Sequence, residues 1–210
     1  MSILTVGCSF TAGEELAQPK QTAWPALVAQ FMNKTVTNRG QGGGSNDYIF
    51  RTAIEETAKQ PWDLVVVEWS EPSRMEVWWE RHNCPINVTA HSRYAQMGEF
   101  AWLKDFYATA YSDFHAFRRT AVQCLSLQEY FKSINQRYIF VTLNRLDTVD
   151  KLDHIWSKID TQYFLGWPDQ GLLDWQGDCP RGPGGHPLEL GHQRIAEKIN
   201  EHIRHLGWLS

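Results

Sequence analysis

Apolar positions along the chain alternate between short continuous runs and helical stripes. Ile3, Leu4 and Val6 form a brief run that ends at Gly7. Trp24, Leu27, Val28, Phe31 and Met32 then recur at helical spacing, with Pro25 in the first turn. The order strand, loop, helix repeats at once. Residues 36–38 fit a second short strand, the glycines of 40–44 follow, and Ser45 is a good N-cap for a helix carrying Ile49, Phe50, Ala53 and Ile54 on one face. Asp63-Leu64-Val65-Val66-Val67 is apolar on both faces, the pattern of a strand inside a parallel sheet.

Between 78 and 100 the periodicity stops, with Pro85, Asn87 and Gly98 as punctuation, so this stretch is expected to be an insertion or lid on a single domain spanning 1–210. A long helical region at about 103–133 leads to a strand at 138–143. A short helix near 149–158 and a last strand at 162–165 precede an irregular Gly- and Pro-rich segment, 166–185. Ile195, Ala196, Ile199, Ile203 and Leu206 make the stripe of a final helix, with Pro187 at its start. Strands alternating with helices through short connections predict a three-layer α/β/α sandwich around a flavodoxin-like parallel sheet. Ligands of such folds bind beyond the carboxyl ends of the strands, so the segments following each strand hold the candidate chemistry.

Composition narrows the function more than the fold. A formal net charge of -4 with mixed signs provides no field for nucleic acid or an anionic membrane, and leaves small neutral or cationic ligands. Cys8, Cys84, Cys124 and Cys179 are scattered without paired spacing, which suits a reducing compartment. No signal peptide or membrane span is read at the N-terminus, so the protein is expected to be cytoplasmic or exported by a non-classical route. His82, Cys84 and His91 lie close in sequence but lack a second ligand pair, and neither a metal nor a cofactor is expected. Ten tryptophans stand out; indoles fill cores, and they also stack on sugars.

Three segments after strands carry candidate residues. Ser9, in Gly7-Cys8-Ser9-Phe10-Thr11, stands at a strand tip where an imidazole could take its proton and make it a nucleophile. The run from Asn38 to Asp47 exposes consecutive backbone N–H groups before a helix, a setting for an oxyanion or phosphate. It lacks the third glycine of the dinucleotide fingerprint, where Ser45 stands. His186, in Gly184-Gly185-His186-Pro187, precedes the last helix, where a general base would be useful.

Together these blocks resemble the SGNH (GDSL-like) hydrolase family. Gly7-Cys8-Ser9-Phe10-Thr11 is similar to its first block, with Cys8 where the family has Asp; residues 38–46 are similar to the second; His186-Pro187 with Gly191-His192 is similar to the last. The resemblance implies a serine esterase with Ser9 as nucleophile and His186 as base, the N–H groups of Ser9 and Gly43 in the oxyanion hole, with Gly44 as the alternative glycine, and Trp69, Asn46 and Arg74 near the substrate. Two departures accompany it. The third block, Gly-x-Asn-Asp in the family, is Glu68-Trp69-Ser70-Glu71 here, so Ser70 replaces an oxyanion amide, at a cost on the order of 3 kcal/mol if its hydroxyl fails to substitute. Pro183 stands where the family places the aspartate that orients the histidine, leaving Asp178 or a backbone carbonyl of 177–185 to do so. The implied substrate is an ester of a small molecule or carbohydrate, including O-acetyl sugars. Two rival readings are a glycan-binding or assembly module that has lost catalysis, and a flavodoxin-like nucleotide or flavin binder.

Overall fold

The computed structural model describes residues 2–89, 93–146 and 150–208. Strands β1 (Ser2–Gly7), β2 (Thr35–Gly40), β3 (Leu64–Trp69) and β6 (Tyr138–Thr142) form one parallel sheet in the order β2-β1-β3-β6. Register aligns the strand ends that matter: Val6 faces Arg39 on one side and Val67 on the other, and Trp69 pairs with Thr142. Every residue of β3 is buried, because its alternate side chains enter two different cores. Leu64 and Val66 pack with α3 (Trp24–Phe31), α8 (Leu172–Gln176) and α9 (Glu189–His205), while Val65 and Val67 pack with α4 (Asn46–Lys59), α6 (Asp113–Ser133) and α7 (Asp153–Trp156). This is the expected three-layer arrangement.

Two short helices, α1 (Ser9–Ala12) and α2 (Pro19–Thr22), fill the connection from β1 to α3. Residues after β3 fold into an antiparallel hairpin of β4 (Met75–Trp79) and β5 (Cys84–Val88), so the aperiodic stretch contains regular structure. Ile86 and Val88 pack with Phe100 and Leu103 in a small third cluster. The hairpin docks on the start of α4: Ser45 N–H donates to Asn87 Oδ1 at 2.8 Å, Glu76 N–H to Asp47 Oδ2 at 3.1 Å, and Arg51 pairs with Glu76 at 2.7 Å.

Several boundaries differ from the periodicity. The helical region at 103–133 is broken into α5 (Trp102–Asp105), a π-turn at Phe106–Ala110 and α6, because Ser112 is extended and its hydroxyl caps His115 N–H. The last strand at 162–165 reduces to one bridge between Phe164 and Phe140; Asp160 accepts from Gln162 N–H and turns the chain into a 3₁₀ segment, Thr161–Tyr163. Only Asp153–Trp156 of the 149–158 helix is α-helical, and Val149 lies outside the described residues. Pro187 bridges Arg181 instead of opening α9, which starts at Glu189. Among the described residues no helix is long and apolar enough to cross a membrane, and no group of three or more His, Cys, Asp or Glu could hold a metal; His91 lies outside them.

Candidate active site

Parallel strands place their carboxyl ends at one edge of the sheet, and the candidate residues gather there. Ser9 is the first residue of α1, 5% exposed, directly after the β1 tip. Its Oγ contacts Cys8 Sγ at 3.8 Å. Burial, and then the neighbouring Glu68, push the Cys8 thiol up to about 12, so Cys8 remains protonated. Behind the turn sits Glu68, fully buried at the end of β3, accepting Cys8 N–H at 3.1 Å, Thr11 N–H at 3.1 Å, the Thr11 hydroxyl and the Cys8 thiol at 3.0 Å. Burial raises its carboxyl above the usual range, against the pull of these donors and of Arg74.

The glycine loop lies beside this turn. Gln41 N–H donates to Gly7 O at 3.1 Å and Gly44 N–H to Gln41 O at 2.9 Å, whereas no hydrogen bond among the described residues engages the N–H of Ser9 or of Gly43. Arg74 reaches the Gly44 carbonyl at 3.4 Å. Ser70 follows β3, and its buried hydroxyl has no partner among the described residues. Its backbone is held by Asn46: Oδ1 accepts Ser70 N–H at 2.7 Å, and Nδ2 donates to Ser70 O at 3.1 Å and Thr120 Oγ1 at 2.9 Å. Asn46 is therefore engaged inside the protein and is not free to bind substrate, contrary to expectation. Trp69, 1% exposed, packs edge-on against Phe140 and contributes only to the floor of a cavity of about 420 Å³ at the ends of β3 and β6, so it is not an open stacking platform.

His186 is held by a residue the sequence reading missed. Glu15 Oε2 meets His186 Nδ1 at 3.0 Å and accepts His186 N–H at 3.0 Å, and Oε1 accepts Gly184 N–H at 2.6 Å. These donors, Gly184 first, hold the Glu15 carboxyl below the usual range. Glu15 adopts a left-handed backbone, φ 68°, unusual for a residue with a side chain. Asp178 does not fill this role: its side chain is 97% exposed and pairs with Arg194 at 3.0 Å, which lowers its pKa. The ring of His186 also packs near Phe10, with centroids 5.7 Å apart. Its Nε2 faces Glu14 Oε2 at 3.4 Å, and the Glu14 carboxylate fills the space a side chain at Gly42 would need. No hydrogen bond joins His186 to Ser9 Oγ. His192, the other histidine of the last block, is fully buried and accepts Trp24 N–H on Nδ1 at 3.2 Å; burial lowers it to about 4. It ties α9 to the start of α3.

A parallel sheet in the order β2-β1-β3-β6 between two helical layers is the fold of the SGNH (GDSL) hydrolases, and solved structures agree. A member of the lipolytic G-D-S-L family from Veillonella parvula is 16% identical with a TM-score of 0.52, covering 96% of this chain and 97% of its own. The psychrotrophic esterase EstA from Pseudoalteromonas is 12% identical with a TM-score of 0.57, covering 98% and 97%. An acetyl-xylooligosaccharide esterase from Geobacillus Stearmophilus is 15% identical with a TM-score of 0.56, covering 96% and 93%. At such identities the likeness establishes the fold. Within that fold, residues 14–210 match the family of unknown function DUF6071, and the chain belongs to it. No curated protein matches the sequence.

Proposed function

We propose that the protein is a serine ester hydrolase in which Ser9 attacks the acyl carbon, His186 takes the serine proton and Glu15 orients the imidazole. The observation that carries this reading is the Glu15 carboxylate on His186 Nδ1, where the family's fold needs an acceptor and Pro183 cannot supply one. With Nδ1–H donating to Glu15, the other nitrogen is the basic one. His186 must then turn Nε2 from Glu14 to Ser9 when substrate binds, as catalytic hydrogen bonds tighten in the substrate complex. As the tetrahedral oxyanion forms, the unengaged N–H groups of Ser9 and Gly43 and the unpartnered Ser70 hydroxyl are the donors for it. His186 then returns its proton to the leaving alcohol, and water attacks the acyl-serine by the same route.

The cavity at the ends of β3 and β6, which Ser70 also lines, supports a polar substrate without negative charge. Trp69, Phe117 and Leu173 give it apolar walls, while Asn144, Glu71 and the Arg145–Asp174 pair, at 3.1 Å, line it with polar groups that include one more acid than base. A carbohydrate ester fits that chemistry, in line with the acetyl-xylooligosaccharide esterase of like fold. One observation favours a second reading, a module that binds glycans without catalysis: Nε2 faces Glu14 and not Ser9. A panel of acetylated sugars and para-nitrophenyl acetate, assayed with wild type and Ser9→Ala, separates the two. Hydrolysis lost in Ser9→Ala, with one phosphonate adduct on the wild type by intact mass, supports the hydrolase. Glycan binding without turnover, unchanged in Ser9→Ala, supports the module.

A further inference from the structure

Cys8 and Glu68 depart from the family pattern together. Cys8 stands where the family has Asp, and Glu68 stands where its third block begins with Gly. In space the two are neighbours, with Cys8 N–H 3.1 Å from Glu68 Oε2 and the thiol 3.0 Å from Oε1. An acid on β3 thus reaches the residue directly after β1, the place where the resemblance implies an acid.

We propose that Glu68 is the positioning residue of the nucleophile turn, a carboxylate moved from the tip of β1 to the tip of β3 that fixes Ser9 for attack. The assignment rests on the hydrolytic reading above. Glu68 Oε2 gathers the N–H of Cys8 and of Thr11 and the Thr11 hydroxyl, closing the turn around Ser9 from behind. The two N–H groups it takes flank Ser9, whose own N–H stays unengaged for the oxyanion. A carboxylate buried this completely is tolerated only where its oxygens are satisfied, and four donors converge on it. Gly7 is part of the same device: a Cβ there would run into the Glu68 side chain and Thr11, so the strand tip lacks a side chain because the acid from β3 occupies that volume. Glu68 touches no reacting atom; it acts through the backbone that carries Ser9.

Moving the carboxylate back tests this. Glu68→Gly should lower kcat for para-nitrophenyl acetate and the rate of Ser9 phosphonylation by about 100-fold, with KM changed less than about threefold. Cys8→Asp alone should lower both as well, since it forces two carboxylates into one buried pocket. The double variant Cys8→Asp/Glu68→Gly should recover to within about tenfold of wild type; residues in contact couple in stability too, so it is recovery of kcat and labelling at a melting temperature unchanged from Glu68→Gly that separates positioning from a merely structural role. If Glu68→Gly fails to fold, Glu68→Gln replaces it: the amide keeps one acceptor oxygen, and a roughly tenfold loss in kcat at unchanged KM and melting temperature is expected. The assignment is overturned if folded Glu68→Gly or Glu68→Gln keeps wild-type kcat and labelling, or if the double variant is no faster than Glu68→Gly. A wild type that neither hydrolyses the ester nor takes up phosphonate overturns the hydrolytic reading instead, and the role of Glu68 falls with it.

Discussion

Replacing Glu15 by glutamine removes the carboxylate at His186 Nδ1 while keeping the side chain's size. Three donors now converge on that carboxylate, Gly184 N–H on Oε1 and both His186 N–H and Nδ1–H on Oε2. An amide has only one accepting oxygen, so one of the two positions must present NH₂. With nitrogen at the Oε1 position, Gly184 N–H meets a donor and the loop carrying His186 loses its tether. With nitrogen at the Oε2 position, Nδ1 must become an acceptor; the ring proton moves to Nε2, and that nitrogen can no longer accept from Ser9. Either arrangement disables the base. A fully buried triad carboxylate changed to its amide costs about 10⁴ in kcat, and because the Glu15 side chain is 21% exposed, so that water replaces part of what is lost, a fall of about 10²- to 10³-fold is expected here. Steady-state hydrolysis of para-nitrophenyl acetate at neutral pH measures it, with KM and melting temperature as controls. Retention of kcat within about threefold in Glu15→Gln, in a protein whose Ser9→Ala variant is inactive, would refute the orienting role.

Asp178→Asn should leave kcat within about twofold of wild type, because its carboxylate meets Arg194 in solvent and not the imidazole; a large loss would return Asp178 to the site. Asn46→Ala should destabilise by about 2–4 kcal/mol in urea titration, since it strands the Ser70 N–H and carbonyl in the interior, while the Thr120 hydroxyl keeps its bond to the Ala116 carbonyl. His192 gives a pH signature. The unfolded histidine protonates below its ordinary 6.5 and the folded one only near 4, so stability falls as pH drops through that window, by up to roughly 3 kcal/mol. The pH-dependent stability difference between wild type and His192→Gln should shrink over the same range, and a flat difference would contradict it.

The layered fold was legible because burial on both sides writes itself into composition: β3 needs Leu64 to Val67 to be apolar without alternation, and α9 shows a clean stripe. The β4–β5 hairpin was not, because Trp78 and Trp79 are adjacent aromatics on opposite faces and the turn relies on Asn83 in a left-handed conformation, which residue type alone only weakly signals. Ser9 could be placed at the tip of the first strand from the sequence, and His186 just before the last helix. Glu15 was not, since it lies 171 residues from His186 and reaches it through a positive φ that no periodicity encodes. The two acids after Gly13, directly following the serine block, were the available signal. Trp69 and Asn46 were misplaced for a general reason: a polar or aromatic residue at a strand end is as easily absorbed by the interior as turned toward a ligand.

The departures from the family pattern bear on whether the site has decayed. A site released from catalysis loses its acids independently, and nothing selects for replacements at the same points in space. Here two acids are missing from their sequence positions, at Cys8 and Pro183, and a carboxylate from elsewhere in the chain stands beside each vacated place. Glu68 comes from the adjacent strand and meets Cys8; Glu15 comes from the loop after α1 and meets His186. Each replacement carries a structural cost that packing alone does not require: complete burial of a carboxyl group for Glu68, and a left-handed backbone for Glu15. The third departure, Ser70 for asparagine, follows the same logic on a smaller scale, since a buried hydroxyl without a partner is retained where an amide donor stood. Acid for acid and donor for donor, these contacts support the hydrolytic reading proposed above over a module that only binds.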